Sequence, residues 1–258
     1  MFEFDCHAHV YDAIKPVDSA RYVPAAPAPL ADWLGHQAAH GIRGGVIVQV
    51  SFLGTDNSQM CDALSRLETS RFAGVAVVPL DVDDAELDRL VRSGIRGVRW
   101  NLVRGAEVPD LSSHQTQNFF AKLRKIGLHL EVHLEGPRLA ALLPELTDQG
   151  VSLVVDHFGL PSEPKPFDDP MIRAVRALAD RSVLYFKFAA HYRVPYNIQP
   201  HASALMSLLH DNRVVWGSDW PHTQHESNNN YDEVRSMCSN WSDFADCKAV
   251  ECLYGLTG

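Results

Sequence analysis

The chain has 258 residues, of which 46% are hydrophobic and 21% are charged. This length suits one α/β barrel or two smaller domains, and the hydrophobic content is ordinary for a globular protein. The formal net charge of -9 and the absence of a basic run argue against binding to nucleic acid or to an anionic membrane. No stretch of sequence reaches the roughly 20 apolar residues of a membrane span.

Cysteine content and the first residues indicate the compartment. The five cysteines are odd in number and form no CxxC pair, which fits a reducing compartment better than a disulfide framework. The chain does not begin with a charged region followed by a long apolar run, as a signal peptide would. We therefore expect a cytoplasmic protein.

Strands and helices alternate along the whole chain. The predicted strands are 4–10, 43–51, 72–80, 95–102, 128–134, 151–158, 183–189 and 213–220. The predicted helices are 30–40, 57–70, 83–93, 113–126, 138–149, 170–180, 201–210, 231–238 and 243–254. The segment 11–29 is rich in proline and alanine, and we predict a long loop there that lies over an active site.

Eight strands that alternate with helices predict a single (β/α)8 TIM-type barrel over residues 1–258. The alternative is an open, doubly wound sheet. Such a sheet would carry a glycine-rich phosphate turn after the first strand, and no GxGxxG motif follows it here.

Polar residues stand at the ends of six predicted strands, where a purely structural strand would carry Val, Ile or Leu. They are His7, His9, Arg99, Asn101, His133, His157, Lys187 and Asp219. The carboxyl ends of the strands in such a barrel meet at the face that carries the active site. His7 and His9 are two residues apart on one strand and therefore share a face. These residues predict one site.

The residue types at this site suit hydrolytic chemistry. His7, His9, His133 and Asp219 form a mixed nitrogen and oxygen set that suits one divalent ion, with a position left for water. Asp219 can receive a proton from that water, and His157 can polarise a carbonyl or protonate a leaving group. In the alternative without metal, the histidines form a cationic cradle for a carbonyl oxygen and Asp219 alone is the base. The spacing leaves both alternatives open.

Arginines near the same strand ends indicate the substrate. Arg99 and Arg104 follow the fourth strand, and Arg193 follows the seventh. Guanidinium groups pair bidentately with carboxylates, so we expect a substrate with one or more carboxylates. Glu131 shares the phase of His133 and is expected to orient a ligand histidine. We expect structural roles for six other histidines: His36, His40, His114, His201, His210 and His225.

Several motifs resemble the amidohydrolase superfamily and, within it, the lactonase branch that includes the 2-pyrone-4,6-dicarboxylate lactonases. They are His7-Ala8-His9, Val98-Arg99-Trp100-Asn101, Val155-Asp156-His157-Phe158-Gly159 and Gly217-Ser218-Asp219-Trp220-Pro221-His222. The first loop adds Arg21-Tyr22-Val23-Pro24, and the second strand adds Val48-Gln49-Val50-Ser51 followed by Gly54-Thr55-Asp56-Asn57. The likeness runs the length of the chain.

The resemblance implies a distorted barrel that hydrolyses a lactone. Asp219 would activate water, with His7, His9 and His157 around the carbonyl oxygen. The residues that would bind substrate carboxylates are Tyr22, Ser51, Arg99, Arg104 and Arg193. The dicarboxylate lactonases carry a tyrosine on the fifth strand and work without metal. This chain carries His133 there, as metal-binding members of the superfamily do, so both a divalent ion such as zinc or manganese and a site that works without metal stay open.

The main hypothesis is a cytoplasmic hydrolase that opens a carboxylated lactone, either one like 2-pyrone-4,6-dicarboxylate or a sugar-acid lactone, in the breakdown of aromatic compounds or sugar acids. One alternative is a metal-dependent decarboxylase of the same superfamily. A second alternative is a barrel that only binds acidic metabolites.

Overall fold

The computed structural model describes residues 3–209, 213–237, 241 and 247–257. Its strands are β1 (Phe4–Ala8), β2 (Gly44–Val48), β3 (Phe72–Ala76), β4 (Ile95–Asn101), β5 (His129–His133), β6 (Leu153–Val155), β7 (Leu184–Ala189) and β8 (Val214–Gly217). Its helices are α1 (Leu30–Ala39), α2 (Ser58–Ser65), α3 (Asp84–Arg92), α4 (His114–Ile126), α5 (Gly136–Thr147), α6 (Pro170–Ala177), α7 (Gln199–Leu208), α8 (Tyr231–Met237) and α9 (Cys247–Tyr254). Short 3-10 turns follow three strands, at Ser51–Leu53, His157–Gly159 and His191–Arg193.

The eight strands form one parallel sheet in the order β1 to β8. The sheet closes because the end of β1 pairs with the segment after β8. The backbone N–H of Asp219 donates to the carbonyl of His7 at 2.8 Å, and the N–H of His9 donates to the carbonyl of Trp220 at 2.7 Å. The predicted (β/α)8 barrel is therefore confirmed, and each strand is shorter than predicted.

Parts of the prediction cannot be compared with the structure. The predicted helix ends at His210 and Cys238 and the predicted helix start at Asp243 lie outside the described residues. Cys6, Cys61 and Cys252 form no disulfide bond with any described residue. Within the described ranges, no helix is both long enough and apolar enough to cross a membrane.

The buried carboxylate of Asp5 ties the two ends of the barrel together. It accepts five hydrogen bonds, from the Trp33 Nε1–H at 2.8 Å, the Tyr231 hydroxyl at 3.1 Å, the Ser218 N–H and hydroxyl at 2.8 and 2.7 Å, and the His7 N–H at 3.3 Å. Because burial disfavours the charged form, the pKa of Asp5 is raised above its ordinary value. Asp5 thus fixes the two segments that carry His7 and Asp219.

The closure also requires glycine at position 217. A Cβ atom added there would lie 2.3 Å from the Cβ of His7, which is too close for two carbon atoms. We expect Gly217→Ala to lower the free energy of unfolding by about 1–3 kcal/mol, measured by urea denaturation, because β1 and β8 must separate to admit the methyl group.

Gly35→Ala is the matched control. Gly35 lies in α1 with no atom within 4 Å of an added Cβ, so this change should stabilise the protein by about 0.5–1 kcal/mol. Equal effects of the two changes would contradict the argument.

Candidate active site

A pocket of about 250 Å³ opens at the carboxyl ends of the strands. All the predicted site residues except His7 and Lys187 line it: His9, Tyr22, Ser51, Arg99, Asn101, Arg104, His133, His157, Arg193 and Asp219. His7 is fully buried and contacts both Asp219 and His157. The barrel therefore brings the predicted residues together in one place, as its topology requires.

Three imidazoles surround one oxygen of Asp219. The Oδ1 atom lies 3.5 Å from Nε2 of His7, 3.7 Å from Nε2 of His9 and 3.9 Å from Nε2 of His157. Asp219 Oδ1 and the Nε2 atoms of His7 and His157 are buried and have no hydrogen-bond partner among the described residues. Buried polar atoms are rarely left unpaired. This convergence therefore marks the place of an ion, a water molecule or a substrate oxygen.

The backbone conformation of His157 and Asp219 directs their side chains toward the pocket. His157 and Asp219 lie two residues beyond β6 and β8, and both have left-handed backbone angles, with φ of 52° and 59°. Such angles are costly for residues other than glycine and occur often at functional sites. The sequence pattern extended both strands through these residues, whereas the structure turns them out of the strands toward the pocket.

The second oxygen of Asp219 is held by two neighbours on the turn after β7. Oδ2 accepts hydrogen bonds from the Tyr192 hydroxyl at 2.7 Å and from Arg193 at 2.7 and 3.2 Å. Burial raises the pKa of Asp219, but the Arg193 guanidinium and the nearby imidazoles outweigh burial and hold that pKa well below its usual range. Asp219 is thus ionised, with Oδ2 fixed and Oδ1 free. The sequence analysis did not select Tyr192, although it precedes the selected Arg193.

The imidazoles around the pocket favour their neutral form. Burial lowers the pKa of His9 to about 3, and the neighbouring His7 adds to this effect. Burial also lowers the pKa of His133 and of His157 well below the ordinary value. Neutral imidazoles coordinate metals and donate or accept hydrogen bonds. The alternative without metal, in which all these histidines are positively charged around a carbonyl oxygen, does not fit this buried environment.

His133 is oriented by Arg99 and stands apart from the three imidazoles around Asp219. Arg99 donates from its terminal nitrogen to Nδ1 of His133 at 3.1 Å. A guanidinium has no acceptor atom, so Nδ1 must accept, and a neutral His133 carries its proton on Nε2. By contrast, Nδ1 of His9 lies 2.8 Å from the Val48 carbonyl, which can only accept, and Nε2 of His9 is left without a proton.

The groups of residues that could bind a metal ion also separate His133 from His7 and Asp219. One group contains His7, His157 and Asp219, and another contains His133, Asp156 and His157. The predicted ligands His7, His9 and Asp219 meet around one point, since His9 also faces Asp219 Oδ1. His133 is 4.6 Å from the His157 ring, measured between centroids, and belongs to the second group.

Several charged residues lie beneath the pocket, and their contacts were predicted only in part. Arg99 Nε donates to Asp156 Oδ2 at 2.7 Å, and Asp156 Oδ1 lies 3.5 Å from Nδ1 of His7. Asp156 was overlooked as a site residue, although it precedes His157 in the motif that drew attention to that histidine. The expectation that Glu131 orients a ligand histidine is wrong, because its carboxylate accepts from Lys187 at 2.7 Å and lies 3.4 Å from His129.

The first loop reaches across the pocket, as predicted. Arg21 donates to the carbonyl of Val103 and to Asn101, and the Tyr22 hydroxyl donates to Glu226. Arg104 also lies at the mouth, where its guanidinium donates to the neutral side chain of Gln224. Of the three predicted carboxylate-binding arginines, Arg99 and Arg193 make ion pairs with Asp156 and Asp219 at 2.7 Å.

Most of the histidines expected to be structural lie away from the pocket. His36 stacks on Tyr231 with centroids 4.8 Å apart, His40 lies 2.8 Å from an Asp232 oxygen, and His201 stacks on Tyr196. The histidine at 114 begins α4, and the one at 210 is outside the described residues. The expectation fails for His225, which lines the pocket.

Comparisons with known proteins agree with this architecture. Over 85% of this chain and 76% of the other protein, the sequence is 28% identical to a 4-sulfomuconolactone hydrolase of Rhizobium radiobacter. It is also 28% identical to a 2-pyrone-4,6-dicarboxylate hydrolase of Comamonas testosteroni, over 84% of this chain and 76% of that protein. The predicted likeness to the lactonase branch is therefore confirmed.

A solved structure from Acinetobacter baumannii, described as a probable 2-pyrone-4,6-dicarboxylic acid hydrolase with citric acid bound, is 29% identical and superposes with a TM-score of 0.90. The superposition covers 99% of this chain and 100% of that chain. The family model described as amidohydrolase matches residues 4–234. The chain belongs to the amidohydrolase family.

Proposed function

We propose that the protein is a hydrolase that opens a carboxylated lactone, either one like 2-pyrone-4,6-dicarboxylate or a sugar-acid lactone. The observation that carries this proposal is the unpaired, ionised Oδ1 of Asp219, which faces three imidazole nitrogens at the floor of a pocket with four arginines in its lining. The lactone hydrolases among its relatives support the same assignment. Each of them acts on a lactone with an acidic substituent, according to its name.

In the proposed mechanism, water attacks the lactone carbonyl and Asp219 Oδ1 takes the proton from that water. Tyr192 and Arg193 hold Oδ2, so the free oxygen keeps its direction toward the reacting centre. A carboxylate with so low a pKa is a weak base, and the reaction therefore needs assistance at the carbonyl oxygen as well. The neutral imidazole of His157 donates a hydrogen bond to the developing oxyanion, and the proton that Asp219 took from water passes to the leaving alkoxide or enolate oxygen.

The residues present fit a divalent cation. Three imidazole nitrogens and one carboxylate oxygen, three of them buried without partners, form a donor set that zinc and manganese accept. We propose His7, His9 and Asp219 as its ligands, with His157 beside them. The fourth ligand predicted from the sequence, His133, has its Nδ1 taken by Arg99. A bound cation supplies Lewis acidity to the carbonyl.

The carboxylates of the substrate are proposed to bind Arg104, Tyr22 and Ser51 near the mouth and Arg99 and Arg193 deeper in the pocket. Among the described residues, the Arg104 guanidinium donates only to Gln224 and can exchange this partner for a carboxylate at small cost. Arg99 keeps unused N–H groups after its bonds to Asp156 and His133.

His133 is proposed to donate its Nε2–H to an oxygen of the substrate. We expect His133→Leu to raise KM for a carboxylated lactone about 10-fold or more, because a hydrogen bond to a charged group contributes about 1.5–3 kcal/mol. His133→Gln retains an N–H of similar reach and should recover part of the loss. Steady-state kinetics on both variants test this, and an unchanged KM in His133→Leu would rule the contact out.

The function is tested by incubating the purified protein with carboxylated lactones and with hydroxybenzoates, with and without prior chelation, and identifying the products by NMR. Elemental analysis of the same samples reports bound zinc and manganese. The proposal expects ring-opened hydroxy or keto acids. Release of carbon dioxide from a benzoate, with no lactone opened, would instead establish the decarboxylase.

A further inference from the structure

Lys187 is a fully buried lysine inside the barrel, with 0% of its surface exposed. It lies in β7 and is separate from the residues that line the pocket. Burying an ammonium group is costly unless it is paired. The proposed mechanism gives it no task, so its contacts must explain its presence.

The Lys187 ammonium contacts two carboxylates. Its Nζ donates to Glu131 Oε1 at 2.7 Å and lies 3.4 Å from Asp156 Oδ1. The same Asp156 oxygen lies 3.5 Å from Nδ1 of His7. The other nitrogen of His7 lies 3.5 Å from the reactive oxygen of Asp219. A continuous series of contacts therefore leads from Lys187 to the catalytic carboxylate.

Three of these groups form a third possible metal-binding set. Ligand atoms of His7, Glu131 and Asp156 all lie within 4.8 Å of one another. Two carboxylates and an imidazole in such proximity suit a divalent cation. The ammonium of Lys187 already contacts both carboxylates. It therefore occupies the place where a second metal ion would otherwise bind.

Other residues anchor the far side of this set. The Tyr254 hydroxyl of α9 donates to Glu131 Oε1 at 3.0 Å, and the imidazole of His129 lies 3.4 Å from the same oxygen. Glu131 therefore holds the Lys187 ammonium on the side away from the pocket, and Asp156 contacts it on the side toward the pocket. Arg99 holds the remaining oxygen of Asp156 at 2.7 Å.

We propose that Lys187 is a positioning residue: a permanent internal cation that replaces a second metal ion and, through Asp156, holds His7 with Nε2 directed at Asp219. The Asp156 carboxylate, 3.5 Å from Nδ1 of His7, favours the proton on Nδ1 and so leaves the lone pair of Nε2 toward the pocket, as carboxylates do for metal-binding histidines. The barrel thus places a fixed ammonium group, in place of a divalent ion, in the set formed by His7, Glu131 and Asp156.

Zinc binding tests the cation position directly. Lys187→Met removes the charge and keeps most of the side-chain volume, so Glu131 and Asp156 are left without the ammonium. We expect this variant to bind one more zinc ion per chain than the unmodified protein, measured by elemental analysis after equilibration with zinc chloride and dialysis. Tyr254→Phe, which removes a different donor to Glu131, should keep the original stoichiometry. An unchanged stoichiometry in Lys187→Met overturns the replacement of a second metal.

A double variant tests the effect on His7 even if Lys187→Met fails to fold. Lys187→Met with Glu131→Gln removes both charges together and keeps the interior neutral. In histidine-labelled protein we expect the ¹⁵N resonances of His7 to move in this double variant and to stay in place in Tyr254→Phe. We also expect kcat for lactone opening to fall about 10–100-fold with KM little changed.

The kinetic result alone rests on the proposed lactone hydrolysis. If the unmodified protein opens no lactone, the proposed function fails, while the zinc and ¹⁵N measurements still decide the role of Lys187. Unmoved His7 resonances together with full kcat in the double variant would show that Lys187 only neutralises Glu131.

Discussion

Replacing Asp219 by Asn is expected to lower kcat for lactone opening by about 10²–10⁴-fold, because the variant loses the group that takes the proton from water. Asn has the same shape and can still accept from Tyr192 at the fixed oxygen, so the fold should remain. Steady-state kinetics measure the loss. Substrate binding measured by calorimetry should persist, which separates an enzyme from a barrel that merely binds acidic metabolites.

The control for this change is Asp62→Asn, on the exposed face of α2, where the carboxylate pairs with Arg66 at 2.8 Å. This control should keep full activity. An Asp219→Asn variant that retained more than a tenth of kcat would remove Asp219 from the role of base. Residual activity at that level would mean that another group in the pocket takes the proton from water.

Replacing Asp5 by Ala is expected to have the largest effect on stability. The change leaves buried donors of Trp33, Tyr231 and Ser218 without their acceptor. Losing one partner of such a buried charged network costs about 3–5 kcal/mol, which urea denaturation monitored by circular dichroism would measure. Activity should fall as well, since Asp5 connects the segments that carry His7 and Asp219.

Ser218→Ala provides the graded comparison for Asp5. It removes one donated hydrogen bond from the hydroxyl at 2.7 Å and leaves the backbone N–H bond in place. We expect a loss of about 1 kcal/mol, the usual net contribution of a single hydrogen bond. If Asp5→Ala were no more destabilising than Ser218→Ala, the carboxylate would not be the anchor described here.

The sequence predicts most residues of the candidate site because barrel topology converts order along the chain into position in space. His7, His9, His157 and Asp219 each follow or end a strand, and all strand ends of a barrel converge. A periodic pattern does not show where a strand stops, however. The left-handed backbone of His157 and Asp219 breaks the strand at residues that carry no glycine or proline signal.

The contacts between neighbouring strands account for what the sequence analysis missed or misassigned. Arg99 both lines the pocket and pairs with Asp156, and this pairing depends on strand tilt and register, which no pattern within one strand encodes. The same applies to Glu131, which meets Lys187 of β7 rather than a ligand histidine. His133 illustrates the limit most clearly, since its residue type suits a metal ligand and only the contact with Arg99 assigns its proton.

The central claim, hydrolysis of a carboxylated lactone, is tested most directly by running the reaction in H₂¹⁸O and analysing the product by mass spectrometry. The account predicts that the ring-opened acid carries one ¹⁸O in the new carboxylate, and that the Asp219→Asn variant forms almost none of this product. A product without ¹⁸O, or one that has lost carbon dioxide, would contradict it.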